Sequence, residues 1–350
     1  MQRSIMWREK NINLIGGNRV EKASVNVKLN LLKGFACMGV VFIHITFPGL
    51  FGQIVMHASG YAVPIFFMIA GYYAYGKDLD VIKRRLLKIV KILVYAYILF
   101  FLYNLVFSIK NHEVLQWLSD SYNWKTPIMY ICFCTINFAI PLWYLIAMIE
   151  TYIVWLFVVK RKKEHLIIKI TPILFLLQII LTSYCETMKL ELFWETNFLI
   201  RAMPWFMLGY CLNTEMANNI RSIKTSTLIM MVIVGCAIAV IPTAFDLPIM
   251  FNVIGYIPYA FGLFSLALKN PSQSVCKPVE FIGDKLSLNI YIFHVLIAGI
   301  IGFAFHRILN VNTEADPYLW IRPIIVLVTT IFASWVVYKI KMIFTKKPRE

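Results

Sequence analysis

Long apolar segments, separated by short polar ones, occupy nearly the whole chain. Most of them reach the roughly 17–25 residues that an α-helix needs to cross the hydrocarbon core of a bilayer. Because a helix satisfies its own backbone hydrogen bonds in lipid, this pattern predicts an all-α integral membrane protein with about ten transmembrane helices. We expect spans near residues 31–51, 58–76, 92–109, 141–159, 166–184, 197–212, 227–243, 249–268, 286–305 and 319–341.

Two apolar segments are shorter than the rest. The span at residues 197–212 carries Arg201 and Pro204, so its boundaries are the least certain of the ten. Residues 127–140 are apolar but too short to cross alone, and we interpret them as a re-entrant or interfacial piece that leads into the next span.

No segment is long and polar enough to form a separate soluble domain. We therefore expect a single transmembrane domain over residues 31–341. A basic cytoplasmic segment over residues 1–30 would precede it, and a basic cytoplasmic tail over residues 342–350 would follow it.

Composition and charge narrow the class of protein. Hydrophobic residues make up 60% of the chain and charged residues 15%, against roughly 45–50% and 25% in soluble domains. If the N-terminus is cytoplasmic, 26 of the 34 Lys and Arg fall on the cytoplasmic side, and the outer loops hold only Lys110, Lys125, Lys189 and Arg307. This bias predicts that both termini are cytoplasmic. It also accounts for the net charge of +16 without nucleic acid, through a cytoplasmic face that meets anionic lipid or a cytosolic anion.

Lys33 and His44 are two polar residues in the first predicted span. Eleven residues correspond to three helical turns plus about 20°, so both side chains lie on one helix face, about 16 Å apart along the axis. Lys33 would then lie near the cytosolic mouth and His44 beyond the middle of the bilayer. The pair combines a group that attracts anions with a histidine that can act as a general base. A snorkelling lysine and a histidine bonded to a neighbouring helix explain the spacing equally well.

Other charged residues within the spans are candidate site residues, because charge is costly in a bilayer. Glu150 lies close to the midplane and requires a proton or a partner, such as Lys33, His44 or Arg201. Arg201 begins the short, proline-broken span, and broken helices in membranes usually line a cavity.

Three further polar positions have simpler explanations. Lys169 and Arg322 lie within one turn of the ends of their spans, so we expect both side chains to snorkel to the interface. His294 shares a helix face with Ser287, two turns earlier. A histidine that only packs in the core is the commoner outcome for such a position.

The cysteines and histidines show no spacing typical of a zinc site, so no metal is expected.

Six blocks of sequence occur in an order that is informative. The first is LLKGFACMGVVFIH, in which ten residues separate Lys33 from His44. PIFFMIAGYYAYG follows, and then a basic run that contains Arg84, Arg85 and Lys88. PLWYL, RAMPWFMLGYCL and IGDKLSLNIYIFH come later. In this order, the blocks resemble acyltransferase family three, a family of bacterial membrane O-acyltransferases. The family has two arginines where this chain has Arg85 and Lys88, and a lysine lacks the forked geometry suited to phosphate.

The resemblance implies transfer of an acyl group, typically acetyl, from cytosolic acyl-coenzyme A to a hydroxyl of a cell-envelope glycan. Acetyl-coenzyme A would be a co-substrate rather than a bound cofactor, and the protein would lie in the bacterial inner membrane. His44 would be the general base, with Glu150 as a candidate to orient it. Candidate donor- and substrate-binding residues are Lys33, Arg84, Arg85, Lys88, Trp143, Arg201, Ser287 and His294. A transporter or flippase is the alternative, because intramembrane charges and broken helices also occur there.

Overall fold

The computed structural model describes residues 26–190, 197–214, 220, 222–245 and 247–345, and in these ranges all regular secondary structure is helical. We number the helices α1 (Val27–His44), α2 (Gly49–Ala58), α3 (Ala62–Ala74), α4 (Leu79–Lys110), α5 (Val114–Ser121), α6 (Thr126–Phe133), α7 (Trp143–Lys160), α8 (Ile167–Thr187), α9 (Phe198–Arg201), α10 (Met203–Cys211), α11 (Thr225–Phe245), α12 (Met250–Lys269), α13 (Lys277–Phe281), α14 (Ser287–Phe303) and α15 (Asp316–Thr345). Two π-helical turns, Ile282–Leu286 and Ala304–Ile308, flank α14.

The all-α membrane fold predicted from the sequence is confirmed. Within the described residues, nine helical segments are long and apolar enough to cross a membrane. They are α1, the α2–α3 pair, α4, α7, α8, α11, α12, the segment Lys277–Ile308 and α15. The shorter apolar segment Phe198–Cys211, made of α9 and α10, corresponds to the predicted short span.

The first two predicted spans have different boundaries in the structure. Helix α1 ends at His44 rather than at residue 51, because Pro48 and Gly49 form a turn before α2, with Gly49 at a φ of +63°. The second predicted span began at residue 58, but the chain forms two helices there, α2 and α3. His44 therefore lies at the end of a helix, where its side chain is not covered by a following turn.

The two predicted cytoplasmic segments, residues 1–30 and 342–350, lie mostly outside the described residues, which exclude 1–25 and 346–350. Helix α1 begins at Val27, inside the expected cytoplasmic segment. The Asn26 side chain caps this helix by accepting a hydrogen bond of 2.9 Å from the backbone N–H of Leu29.

Helix α4 includes the basic run that we had placed in a cytoplasmic segment before the span. Its 32 residues correspond to about 48 Å at 1.5 Å per residue, well beyond a hydrocarbon core of about 30 Å. The helix therefore has room to cross the bilayer and to extend several basic turns into the polar region on one side.

Helix α1 is central in the bundle. It packs against α2, α3, α12, α13, α14, α15 and the π-helical turn Ile282–Leu286. Glycines permit part of this close packing: a Cβ on Gly34 would overlap the Val279 carbonyl, and a Cβ on Gly283 would overlap the Asn30 carbonyl. Helix α1, which carries Lys33 and His44, thus has neighbouring helices on several sides.

Glycines also permit close packing between helices α3 and α10. A Cβ on Gly71 would overlap the Phe206 carbonyl oxygen, and a Cβ on Gly209 would overlap the Met68 carbonyl oxygen. The two glycines come from the blocks PIFFMIAGYYAYG and RAMPWFMLGYCL. Two of the blocks that resembled one family are therefore in direct backbone contact.

Candidate active site

Two histidines from distant parts of the chain meet at one end of α1. His44 is the last residue of α1, and His294 lies in the middle of α14. Their ring centroids are 5.1 Å apart, and the rings are tilted by 44°. The contact between α1 and α14 therefore joins the two histidines that the sequence placed within spans.

His294 is fully buried, and its hydrogen bonding indicates its tautomer. Nδ1 lies 3.1 Å from the Ile290 carbonyl oxygen. Because a carbonyl only accepts hydrogen bonds, Nδ1 of the neutral ring carries the proton and Nε2 is an acceptor. Nε2 is buried and has no hydrogen-bond partner among the described residues. The structure thus holds an unused acceptor next to His44.

His44 itself is exposed to a cavity of about 440 Å³. The turn between α1 and α2 forms one side of this cavity, and the beginning of α15 forms another. Its polar side chains belong to His44, Thr46, Gln53 and Arg322. We call this space the histidine cavity. It brings an imidazole and a guanidinium together in one open cavity.

Arg322 is the residue that the sequence interpretation missed. The sequence predicts only that its side chain snorkels to the interface; in the structure it lines the histidine cavity, and its Nε is buried with no hydrogen-bond partner in the described part of the chain. Only the packing of α15 against α1 and α14 brings Arg322 to His44. The one sequence signal was its charge inside an apolar segment.

Lys33 lies at the opposite end of α1 from His44. Helix α1 is continuous from Val27 to His44, so the predicted shared face and the separation of about 16 Å hold. Lys33 is largely buried, and it interacts electrostatically with Asp284, Lys88 and Lys285. Lys285 forms an ion pair of 2.8 Å with Asp284. Asp284, which the sequence analysis did not single out, thus lies within a group of cations.

The basic residues of α4 have different surroundings. Lys88 lies near Lys33, as its electrostatic interaction shows. Arg85 donates a hydrogen bond of 2.8 Å to the Tyr73 carbonyl at the end of α3 and also interacts with Tyr152 of α7. The Arg84 side chain is exposed. The structure therefore groups Lys88 with Lys33 and places Arg85 at the contact of three helices.

Glu150 and Arg201 have partners other than His44. Glu150 accepts a hydrogen bond of 3.1 Å from the Cys134 thiol, and among the described residues no contact joins it to His44. Arg201 interacts with Tyr256, whose hydroxyl lies 3.2 Å from Nδ1 of His57. These two charges are thus near the short span and α12 rather than in the histidine cavity.

Trp143 and Ser287 complete the predicted set. Trp143 begins α7, and its ring centroid lies 6.3 Å from that of Phe67. Ser287 begins α14, two turns before His294 on the same face. The Tyr291 hydroxyl donates a hydrogen bond to the Pro141 carbonyl, and its ring lies 6.5 Å from His294. Tyr291 therefore connects the PLWYL block to the histidine pair.

Comparison with known proteins gives one match. A family profile described as an acyltransferase domain, that of acyltransferase family three, matches residues 26–339. No curated protein and no solved structure matches the chain. The profile covers the helices that carry Lys33, His44, His294 and Arg322. The chain therefore belongs to acyltransferase family three and is a multi-pass membrane acyltransferase.

Proposed function

We propose that this protein transfers an acetyl group from cytosolic acetyl-coenzyme A to a hydroxyl of a cell-envelope glycan, with His44 as the general base. The bilayer would be the inner membrane of a bacterium. The observation that carries the proposal is one continuous helix with a cation at one end and, at the other, a histidine that is open to a cavity and contacts a second, buried histidine.

The end of α1 that carries Lys33, where the acyl donor would bind, is basic. Lys33, Lys88 and Lys285 are close enough to interact electrostatically, and Asp284 balances one of their charges. Coenzyme A is a polyanion, and lysines attract phosphate as point charges. The positive-inside bias favours a cytoplasmic position for this end of α1, on the side where the donor is present. The long neutral arm of the donor would then carry the thioester along α1 toward His44.

His44 supplies the base. Its imidazole takes the proton of the acceptor hydroxyl while the hydroxyl oxygen attacks the thioester carbonyl carbon. The carbon–sulfur bond then breaks, and the coenzyme A thiolate leaves and takes the proton from the histidine. The products are an ester on the acceptor and free coenzyme A. This proton transfer contributes about 10²–10⁴-fold to the rate.

Arg322 and His294 support this step from two sides. The Arg322 guanidinium shares the histidine cavity with His44 and stabilises the negative charge that develops on the carbonyl oxygen. His294 holds its protonated Nδ1 against the Ile290 carbonyl, so Nε2 is an acceptor in the region of His44. His294 is thus a positioning residue rather than a catalytic one.

The test is coenzyme A release by purified protein in detergent, followed with a thiol reagent, with and without candidate glycan acceptors. We expect His44→Ala to lower acceptor-dependent release by about 10²–10⁴-fold. His165→Ala is the matched control, because His165 is exposed in a connection far from α1 in the sequence, and it should behave as the wild type. Mass spectrometry of envelope glycans from cells with and without the protein should show a lost acetyl mass.

Two results would contradict the proposal. Wild-type release by His44→Ala would remove His44 from the mechanism. Substrate flux across proteoliposomes without coenzyme A release would favour the alternative of a transporter or flippase.

A further inference from the structure

A second cavity, of about 430 Å³, adjoins the histidine cavity. It lies between the end of α4, the π-helical turn Ala304–Ile308 and the beginning of α15. Arg322 lines both cavities. We call this space the basic pocket, because its charged and titratable lining residues are Lys110, His306, Arg307 and Arg322.

The basic pocket contains no acidic lining residue. In the described ranges, Lys110, Arg307 and Arg322 form no ion pair, and the Lys110 ammonium lies 3.5 Å from the centroid of the Phe303 ring. The predicted outer loops hold only four Lys and Arg, and two of them, Lys110 and Arg307, line this one pocket. The outer basic charge is therefore concentrated here.

Buried donors in the pocket also lack partners. Tyr318 is 5% exposed, and its hydroxyl has no hydrogen-bond partner among the described residues. The same is true of the buried Nε of Arg322. A buried polar group without a partner costs free energy, and a ligand that accepts hydrogen bonds would recover it. The π-helical turn, a feature that often marks functional sites, carries both His306 and Arg307.

We propose that the basic pocket binds an anionic group of the acceptor, a phosphate or a carboxylate. The shared residue Arg322 joins the two cavities, so an acceptor anchored by its anion at Lys110 and Arg307 presents a hydroxyl to His44. This inference rests on the proposed function, and it assigns the acceptor to the class of anionic glycans. A phosphate or carboxylate in this pocket would form charge-assisted hydrogen bonds with the cations and would also accept a hydrogen bond from the free hydroxyl of Tyr318.

The test measures anion binding without any acyl donor. The full chain is placed in nanodiscs of phosphatidylcholine, and its unfolding midpoint is followed against inorganic phosphate at constant ionic strength. A ligand that binds the folded state raises the midpoint with a saturable dependence on its concentration. We expect Arg307→Gln and Lys110→Gln each to weaken this dependence about tenfold. Lys125→Gln, which removes an exposed outer base outside the pocket, should leave it unchanged.

Two outcomes overturn the inference. If phosphate stabilises all variants equally, the anion binds elsewhere. If phosphatidylglycerol in the nanodisc removes the effect of phosphate on the wild type, the pocket binds a lipid headgroup and not the acceptor. Neither result depends on acyl transfer, so the coenzyme A assay with His44→Ala still tests the proposed function by itself.

Discussion

His294 offers the sharpest test of the site, because the structure predicts that it acts only through His44. The change is His294→Phe, which retains a ring of similar size against His44 and removes both ring nitrogens. His294 is fully buried, and its Nε2 has no partner among the described residues. Because phenylalanine is larger than histidine and the site is fully buried, the substitution should cost about 1–3 kcal/mol of stability. Thermal unfolding in detergent measures this cost.

The expected effect on activity follows from the ring contact of 5.1 Å. Contacting residues usually couple by about 0.5–3 kcal/mol. We therefore expect His294→Phe to lower kcat/KM for coenzyme A release by about 10- to 100-fold, or about 1.4–2.8 kcal/mol. His44→Ala should lower it by a further factor, to about 10²–10⁴-fold below the wild type.

The double variant distinguishes a positioning role from an independent one. With His44 replaced by Ala, adding His294→Phe should change the residual rate by less than about threefold, because nothing remains for His294 to orient. If instead the two effects multiply, His294 contributes independently of His44. The reasoning from the ring contact is then refuted.

Three further predictions follow from the structure. In the kinetic assay at low salt, Lys33→Gln should raise KM for the acyl-coenzyme A donor about tenfold. Arg84→Gln, which removes an exposed charge, should change this KM less than about twofold. Glu150→Gln should leave kcat within about threefold of the wild type, because its hydrogen bond is to Cys134 and neither residue lines the histidine cavity; a 100-fold loss would support a catalytic role for Glu150. Gly209→Leu should lower the free energy of unfolding, measured by thermal unfolding, by at least about 1–3 kcal/mol. Gly302→Ala should not lower it, because the new Cβ meets no atom closer than 3.7 Å.

The fold was largely predictable because each span can be recognised from the apolar residues of its own segment. Each span is an apolar segment of sufficient length, and the structure describes helices in all ten predicted positions, nine of them long enough to span. Boundaries were less predictable. The end of α1 at His44 depends on the turn at Gly49 and on packing, and hydropathy does not distinguish an apolar turn from a continuing helix.

The site was predictable only in part. Lys33 and His44 belong to one helix, so the period of 3.6 residues was enough to place them on one face. Glu150 and Arg201 were expected near His44 because of their charge, but charge alone does not say which neighbouring helix a side chain meets. Their contacts are with Cys134 and Tyr256.

By itself, the sequence determined the membrane class and the shared face of Lys33 and His44. It also predicted an orientation from the distribution of Lys and Arg, and ten spans, whereas nine segments of the described residues are long enough to cross a membrane. All of these depend on composition or on helical geometry within one segment. Only the tertiary structure decided that His44 meets His294 and that Arg322 lines the same cavity as His44. The physical reason is that such contacts depend on how α1, α14 and α15 cross, and the close backbone packing that sets these crossings is absent from the periodicity of any single helix.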